Sequence, residues 1–326
     1  MEACHSPQQS NVTSSGAIIL AIISLEAFAG MWINAFIISV ICIGWVRKKT
    51  LNSNEKILLL LSFSRISFLC FAWVCNFLYI IYPEYFHVHI IHQLLASLQT
   101  FFNCSNLWVS ACLCVFYCIK IANFRNSFFN YLKVKIDRMV PWLLLGSGIL
   151  ALAIGIVTYD INETMQSNNL NETLQSYHLN FTCLGKFWTE SIRIDKNLFT
   201  SFFLIGLGCA ISFMAVICAA LLLLVSLWRH KHKMQTNSMK DLSVEAHIRA
   251  MKSILSFLVM YSINFVCLIL TIFYTMMNEN TMILLLSIYL YAFPGVHSLI
   301  LIFSNPKLEK ALLQILSCVK CEIFMK

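Results

Sequence analysis

The sequence predicts an all-α membrane protein, a seven-transmembrane-helix bundle with its N-terminus outside and its C-terminus in the cytoplasm. Of the 326 residues, 59% are apolar and only 12% are charged, which is more apolar surface than one soluble core can hide. Seven long segments are apolar almost throughout, and basic residues concentrate in alternate connections between them. Composition and segment length therefore predict the fold class, and the charge pattern predicts the orientation.

The seven segments are long enough to cross a bilayer, since a spanning helix needs about 20 mainly apolar residues. The predicted spans are 16–46, 56–81, 87–119, 139–160, 199–228, 249–275 and 281–303. The helical domain then covers 1–303, with a long second extracellular loop at 161–198, and 304–326 form a cytoplasmic tail. No basic segment precedes the first span, so we expect an uncleaved anchor rather than a signal peptide.

Basic residues fall on one side of the predicted membrane. All but four of the 23 lysines and arginines lie in the connections after spans one, three and five or in the tail, the exceptions being Arg65, Lys186, Arg193 and Lys196. The positive-inside rule places these connections in the cytoplasm. The net charge of +8 is then explained by contact with anionic membrane lipids, without a nucleic-acid partner.

The N-glycosylation pattern Asn-x-Ser/Thr agrees with this orientation. It occurs at Asn11, Asn162, Asn171 and Asn180, all in segments that the charge pattern places outside. Asn103 also matches, but it lies within span three, where a glycan has no room. We therefore expect glycosylation at the first four positions.

Most of the 14 cysteines lie within spans, where they are expected to act as small packing residues. Cys4 and Cys183 are the two outside, and counting leaves open whether they form a disulfide. Cys318 and Cys321 follow a basic amphipathic stretch of the tail, and palmitoylation or free thiols are both consistent with that position.

Enzyme signatures are missing from the sequence. It contains no GxSxG, HExxH or Walker loop, so no catalytic residue, metal or cofactor is assigned. His87, His89 and His92 cluster near the outer end of span three. A metal or proton site is one interpretation, although histidines at a membrane interface are more often solvated.

Ionisable side chains inside the spans mark functional or structural sites, because they are costly at membrane depth. Glu26 and Asn34 share one face of span one, and Arg65 lies deep in span two, at a depth comparable to Asn34. We expect Asn34 to hydrogen-bond Arg65, with the span-seven backbone near His297 and Ser298 as the third partner. The alternative is an arginine that extends to the cytoplasmic surface.

Short motifs follow one another through all the membrane segments except span four. They are Glu26-x3-Gly30-x3-Asn34-x-Phe36-Ile37, Ser62-Phe-Ser64-Arg65-Ile66, Phe116-Tyr117-Cys-Ile-Lys120-Ile121-Ala122-Asn123-Phe124, Ser226-Leu227-Trp228-Arg229-His230, Glu245-Ala246-His247-Ile248-Arg249-Ala250-Met251-Lys252, Pro294-Gly-Val-His297-Ser298 and Asn305-Pro-Lys307-Leu308. Together they resemble the bitter taste receptors, the type 2 taste family of G-protein-coupled receptors. Rhodopsin-like receptors carry other motifs at the positions of Arg65, of the segment from Tyr117 to Lys120, and of His297.

The resemblance implies a chemosensory receptor of the plasma membrane that binds small bitter compounds from outside and activates a gustducin-type heterotrimeric G protein. It implies no cofactor, and it assigns structural or activation roles to Glu26, Asn34, Arg65, Tyr117 and His297. Homo- or hetero-oligomerisation is left open. A transporter or channel would need broken helices or a continuous polar pathway, and an intramembrane enzyme would need a catalytic dyad at depth.

Ligands entering such a bundle are expected between the outer halves of spans three, five, six and seven. The residues assigned to this pocket are Gln99, Asn103, Asn106, Tyr261, Asn264, Ser287 and Tyr291. Asn103 matches an asparagine of the family's pocket, whereas Gln99 replaces an aromatic residue of many members. The alternative is that Asn103 and Asn264 only bond between helices.

A ring of basic side chains surrounds the predicted cytoplasmic mouth. The residues assigned to G-protein coupling are Lys120, Arg229, His230, Lys231, His247 and Lys252. Contact with lipid headgroups is the alternative interpretation of these charges.

Overall fold

A computed structural model of the protein describes residues 8–81, 89–122, 127–178, 196–236, 241–276 and 280–324, and every regular element in these ranges is an α-helix. The helices are α1 (Gln8–Lys48), α2 (Ser53–Ile81), α3 (His89–Ile121), α4 (Ser127–His178), α5 (Lys196–Thr236), α6 (Asp241–Met276), α7 (Asn280–Ser304) and α8 (Pro306–Phe324).

Helices α1 to α7 each contain a stretch that is long and apolar enough to cross a membrane. Every stretch overlaps one of the predicted spans, so the predicted seven-helix, all-α fold is confirmed. The shortest is Ile254–Thr271 in α6, with 18 residues, which at the rise of an α-helix extends about 27 Å. That length is close to the thickness of the hydrocarbon core.

The structure differs from the sequence analysis at the second extracellular loop. Residues 161–198 were assigned to a loop, but α4 continues to His178, and α5 begins at Lys196. The helical extension contains no Gly or Pro, and helix-forming Glu, Gln, Leu and Met residues recur along it.

Helix α3 lies at the centre of the bundle, where it packs against α2, α4 and α5, while α7 packs against α1 and α6. Buried apolar side chains form three clusters between these helices. The first includes Leu61 and Leu113, the second includes Leu223 and Phe293, and the third includes Leu69. Large apolar side chains such as Trp32 and Trp142 are exposed. In a bilayer these outward side chains contact lipid.

The N-terminal ends of α2 and α8 are capped and joined by polar contacts. The Asn52 backbone N–H donates to Glu55 Oε2 at 3.1 Å, the reciprocal bond of a capping box. Asn305 caps α8 by accepting from the Lys307 backbone N–H at 3.1 Å, and Pro306 occupies the first helical position. Lys307 Nζ also donates to Glu55 Oε1 at 2.6 Å, so one ion pair links both helix starts.

Two glycines let α1 and α7 approach closely. A Cβ atom built on Gly295 would lie 3.3 Å from the Gly30 Cα, and one built on Gly30 would lie 2.7 Å from Leu69 Cδ1. The first contact is with backbone, which cannot rotate away. Close backbone approach through small residues is the usual way in which membrane helices gain packing contacts.

Replacing Gly295 with Val should therefore separate α1 from α7 and reduce the folded fraction. We expect Gly295→Val to lower cell-surface delivery and the melting temperature in detergent, because overpacking costs about 1–3 kcal/mol. The matched control is Gly146→Val in α4, where an added Cβ meets no atom within 4 Å. Equal surface delivery and equal melting temperatures for the two variants would contradict the close contact.

Candidate functional site

The guanidinium of Arg65 is completely buried within the bundle and binds residues of α3 and α7. Its Nε donates to Asn106 Oδ1 at 2.9 Å, and its Nη1 donates to Ser298 Oγ at 2.6 Å. Its Nη2 lies 2.5 Å from His297 Nδ1 and 3.5 Å from Ser110 Oγ. Arg65 thus joins three helices through side-chain acceptors. It does not extend to the cytoplasmic surface.

Helix α1 joins this cluster through Ser298 rather than directly. The Ser298 hydroxyl accepts from Arg65 and donates to Asn34 Oδ1 at 2.7 Å, while Asn34 Nδ2 donates to the Gly30 carbonyl at 2.8 Å. The sequence predicts a direct hydrogen bond between Asn34 and Arg65, with the α7 backbone as the third partner. The structure instead uses the Ser298 and His297 side chains, because the serine hydroxyl both donates and accepts and so bridges two groups.

The buried cation is stabilised by neutral acceptors. Arg65 pairs with no carboxylate among the described residues. An arginine can only donate, so His297 Nδ1 must accept and its ring is neutral, with the remaining proton on Nε2. That Nε2 is buried without a hydrogen-bond partner in the described part of the chain, and the Phe257 and Phe293 rings pack against the imidazole with centroids 4.6 and 5.6 Å away.

Glu26 is separate from this cluster. Although it shares the α1 face of Asn34, it is only half-buried, and its Oε2 contacts no hydrogen-bond partner among the described residues. The Arg65 cluster therefore contains three of the five expected structural residues, Asn34, Arg65 and His297, and among the described residues no hydrogen bond joins the Glu26 carboxyl to it.

A second polar group lies between α2, α3 and α7, on the side of the Arg65 cluster that is predicted to face outward. The Tyr291 hydroxyl accepts from Asn76 Nδ2 at 2.7 Å and from Gln99 Nε2 at 3.5 Å. Ser287, one turn before Tyr291, is half-buried. Asn76 was missed by the sequence analysis, although an amide in an apolar span is the signal that could have identified it.

The three asparagines assigned to the pocket have different surroundings. Asn106 bonds to Arg65. Asn264 is buried in α6 and Asn103 is half-buried in α3, and within the described ranges neither amide has a hydrogen-bond partner. Among the described residues, neither amide therefore forms the interhelical bond that the alternative interpretation expected. Two amides in the predicted outer half of the bundle thus retain unused donors and acceptors.

Tyr261 links α6 to α3 and α5. Its hydroxyl donates to the Leu107 carbonyl at 3.2 Å and lies 3.5 Å from Ser212 Oγ. Its ring is buried and stacks with Phe213 at a centroid distance of 6.3 Å. Since its only proton is directed at a backbone carbonyl, Tyr261 offers mainly its ring to any neighbour.

The end of the bundle that is predicted to be cytoplasmic carries two of the assigned residues, Tyr117 and Lys120. The Tyr117 hydroxyl donates to Asn54 Oδ1 at 3.0 Å, which joins α3 to α2. Lys120 Nζ lies 2.5 Å from Asp137 Oδ2, and both side chains are exposed, as is Arg229 on α5. Helices α5 and α6 carry the four other basic residues assigned to coupling, and the structure does not describe their side chains. They are His230, Lys231, His247 and Lys252.

Several sequence predictions concern residues beyond the described part of the chain. Asn180, Cys4, Cys183 and His87 lie outside it, and the side chains of Asn11, Asn162, Asn171, His89, His92 and Cys321 are not described either. Within the described residues, no group of three or more His, Cys, Asp or Glu side chains could hold a metal ion. Cys318 is an exposed thiol.

Known proteins resemble this chain over nearly its whole length. The sequence model of the family described as Taste receptor protein (TAS2R) matches residues 12–320. Taste receptor type 2 member 9 of Papio hamadryas is 32% identical over 311 residues, which cover 93% of this chain and 94% of the relative. Its Homo sapiens counterpart is 31% identical over 94% of this chain and 95% of the relative. Taste receptor type 2 member 40 of Gallus gallus is 32% identical over 95% and 98%.

Removing the guanidinium should destabilise the bundle. We expect Arg65→Ala to reduce surface delivery and the melting temperature in detergent, because each buried acceptor that loses its donor costs about 1–3 kcal/mol. Ser298→Ala should have a smaller effect of the same kind. Its matched control is Ser39→Ala, whose exposed hydroxyl bonds only within its own helix, to the Ala35 carbonyl. Wild-type behaviour of Arg65→Ala would show that the cluster contributes nothing to stability.

Proposed function

Because this chain belongs to the type 2 taste receptor family of multi-pass membrane receptors, we propose that it binds small bitter compounds in its outer half and thereby activates a gustducin-type heterotrimeric G protein. A bitter taste receptor is a G-protein-coupled receptor of the plasma membrane, and its family is not one of enzymes. The proposal adds where the ligand binds and which class of G protein responds.

The unpartnered amides of Asn103 and Asn264 carry the ligand-binding part of this proposal. An amide without a protein partner keeps donors and acceptors that only water or a ligand can satisfy. A small molecule that enters the outer half with its own polar groups restores these bonds, and the surrounding apolar walls bind its remaining surface. Gln99, Ser287 and Tyr291 lie in the same outer half and complete the proposed site.

Asn103 and Asn106 connect this site to the Arg65 cluster. They are three residues apart on α3 and therefore occupy adjoining positions on one helix face. Asn106 holds Arg65, whereas Asn103 lies one turn further out. An agonist that binds Asn103 better in one helix arrangement shifts the population toward that arrangement. Any shift of α3 also moves an acceptor of the buried guanidinium. In this proposal Asn106 therefore contributes to activation indirectly, through Arg65, and Tyr261 contributes its ring to the ligand site.

In this proposal the G protein binds at the end of the bundle opposite to the ligand site. The basic side chains on α3, α5 and α6 surround the mouth that would open to admit the C-terminal helix of the Gα subunit, a helix-in-groove interaction. Lys120 and Arg229 are exposed and therefore accessible to that partner.

The pocket assignment predicts unequal effects among agonists. Asn103→Ala should change the potency of several chemically unrelated agonists by different factors at matched surface expression, because each ligand uses the amide differently. The matched control is Asn130→Ala in α4, whose side chain is exposed, and it should leave every potency unchanged. Equal shifts for all agonists would assign Asn103 to the scaffold instead.

The coupling assignment predicts that ligand-evoked calcium release depends on a co-expressed chimeric G protein, whereas release without it would favour transport. Within this assay, Lys120→Glu should weaken the response while agonist binding changes little. The exposed ion pair with Asp137 contributes at most about 1 kcal/mol to stability, so the fold should persist.

An exchanged pair separates coupling from structure. Lys120→Glu combined with Asp137→Lys restores opposite charges across the Lys120–Asp137 contact but moves the cation from α3 to α4. We expect signalling to stay low in this double variant, and recovery to the wild-type response would mean that Lys120 acts only through its ion pair. Charge reversal at Lys252 on α6 should also lower the response.

A further inference from the structure

We propose that Asn76 is a positioning residue that makes the Tyr291 hydroxyl a hydrogen-bond donor toward the ligand, so that the outer site favours compounds with a carbonyl oxygen. This inference rests on the proposed ligand-binding function and deepens it by naming the chemical class that the site prefers. Three observations support it: the orientation of the Asn76 amide, the bonding of the Tyr291 hydroxyl, and the weak contact with Gln99.

The orientation of the Asn76 amide follows from its neighbours. Asn76 Nδ2 lies 2.8 Å from the Ala72 carbonyl oxygen and 2.7 Å from the Tyr291 hydroxyl oxygen. A carbonyl oxygen can only accept, so the atom facing Ala72 must be the amide nitrogen. Its two hydrogens are then directed at Ala72 and Tyr291. Asn76 therefore donates to Tyr291 and cannot accept from it at that contact.

The Tyr291 hydroxyl consequently has an unused proton. Its oxygen accepts from Asn76 and, at longer range, from Gln99 Nε2. Within the described ranges, the hydroxyl donates to no acceptor. The Tyr291 ring is buried and packs against Phe68 with centroids 6.0 Å apart, which holds the hydroxyl in place. A carbonyl oxygen brought by a ligand would supply the missing acceptor directly, whereas a ligand N–H would first have to displace Gln99 from the Tyr291 oxygen.

Gln99 is the partner that a ligand can displace. Its Nε2 is 3.5 Å from the Tyr291 oxygen, compared with 2.7 Å for Asn76, and hydrogen bonds weaken steeply toward that distance. The Gln99 side chain is also only half-buried. It can therefore move aside without leaving a buried donor unsatisfied, while the Asn76 contact keeps the tyrosine oriented.

The test compares ketone agonists with analogues in which CH2 replaces the carbonyl, in cells that express the full chain with the chimeric G protein. The variants are Tyr291→Phe, which removes the proton, and Asn76→Asp, which places an accepting oxygen beside Tyr291 and draws the proton away from the ligand. We expect each variant to weaken the ketones about three- to tenfold, the factor that one neutral hydrogen bond supplies. The CH2 analogues should change little.

Combining the two substitutions should add almost nothing for ketones, because both act through the same proton. A merely structural role for Asn76 would instead weaken both members of each pair equally. Asn130→Asp serves as the matched control, because that amide is exposed. If Asn76→Asp does not reach the cell surface, Tyr291→Phe, which retains the ring packing, still tests the donated proton, and equal losses for ketones and CH2 analogues in that variant would overturn the inference.

The outcomes distinguish this inference from the function on which it rests. A selective loss for ketones supports it. Equal losses within each pair, with a normal wild-type response, would overturn the role of Asn76 and leave the proposed function intact. A wild-type receptor that gives no G-protein-dependent response to any ketone or CH2 analogue of the panel, or to any bitter compound, would overturn both.

Discussion

The arrangement of the bundle depends on one buried cation. Arg65 is fully buried among apolar helices, and removing such a charge from water costs several kcal/mol unless its donors are satisfied. The planar guanidinium presents its N–H groups in fixed directions, so acceptors must approach from those directions. Asn106 on α3 and both His297 and Ser298 on α7 do so. The requirements of a single side chain thereby restrict the rotation and depth of three helices at once.

The Arg65 cluster extends to a fourth helix, α1, because α1 packs closely against α7. The Asn34 amide reaches Ser298 only if the two backbones are near, and Gly30 and Gly295 provide that proximity because neither carries a Cβ. The polar bond and the small residues therefore support each other. In lipid, where apolar side chains gain little by leaving their surroundings, such packing and interhelical hydrogen bonds supply most of the association energy.

The two halves of the bundle use their amides differently, and the proposed function depends on this difference. In the Arg65 cluster, the Asn106 oxygen accepts from Arg65 and the Asn34 oxygen accepts from Ser298. Further out, Asn103 and Asn264 remain without partners among the described residues, and Tyr291 accepts without donating. In the proposed function, a ligand satisfies the outer groups without breaking the inner bonds. Because α3 carries residues of both kinds one turn apart, binding at one end would then bias the cluster at the other.

The sequence by itself determined the seven apolar helices, because bilayer thickness requires long apolar segments that composition reveals directly. It also indicated that Arg65 needs partners, since an ionisable group at membrane depth is costly, and its ordered motifs predicted the receptor family that the comparisons confirm. Only the tertiary structure decided which groups became those partners. It placed Ser298 between Arg65 and Asn34, assigned Asn106 to the cluster, and brought Asn76 to Tyr291. Helical periodicity tells which residues share a face of one helix, but the rotation and separation of neighbouring helices decide which faces meet, and these follow from packing across the whole bundle.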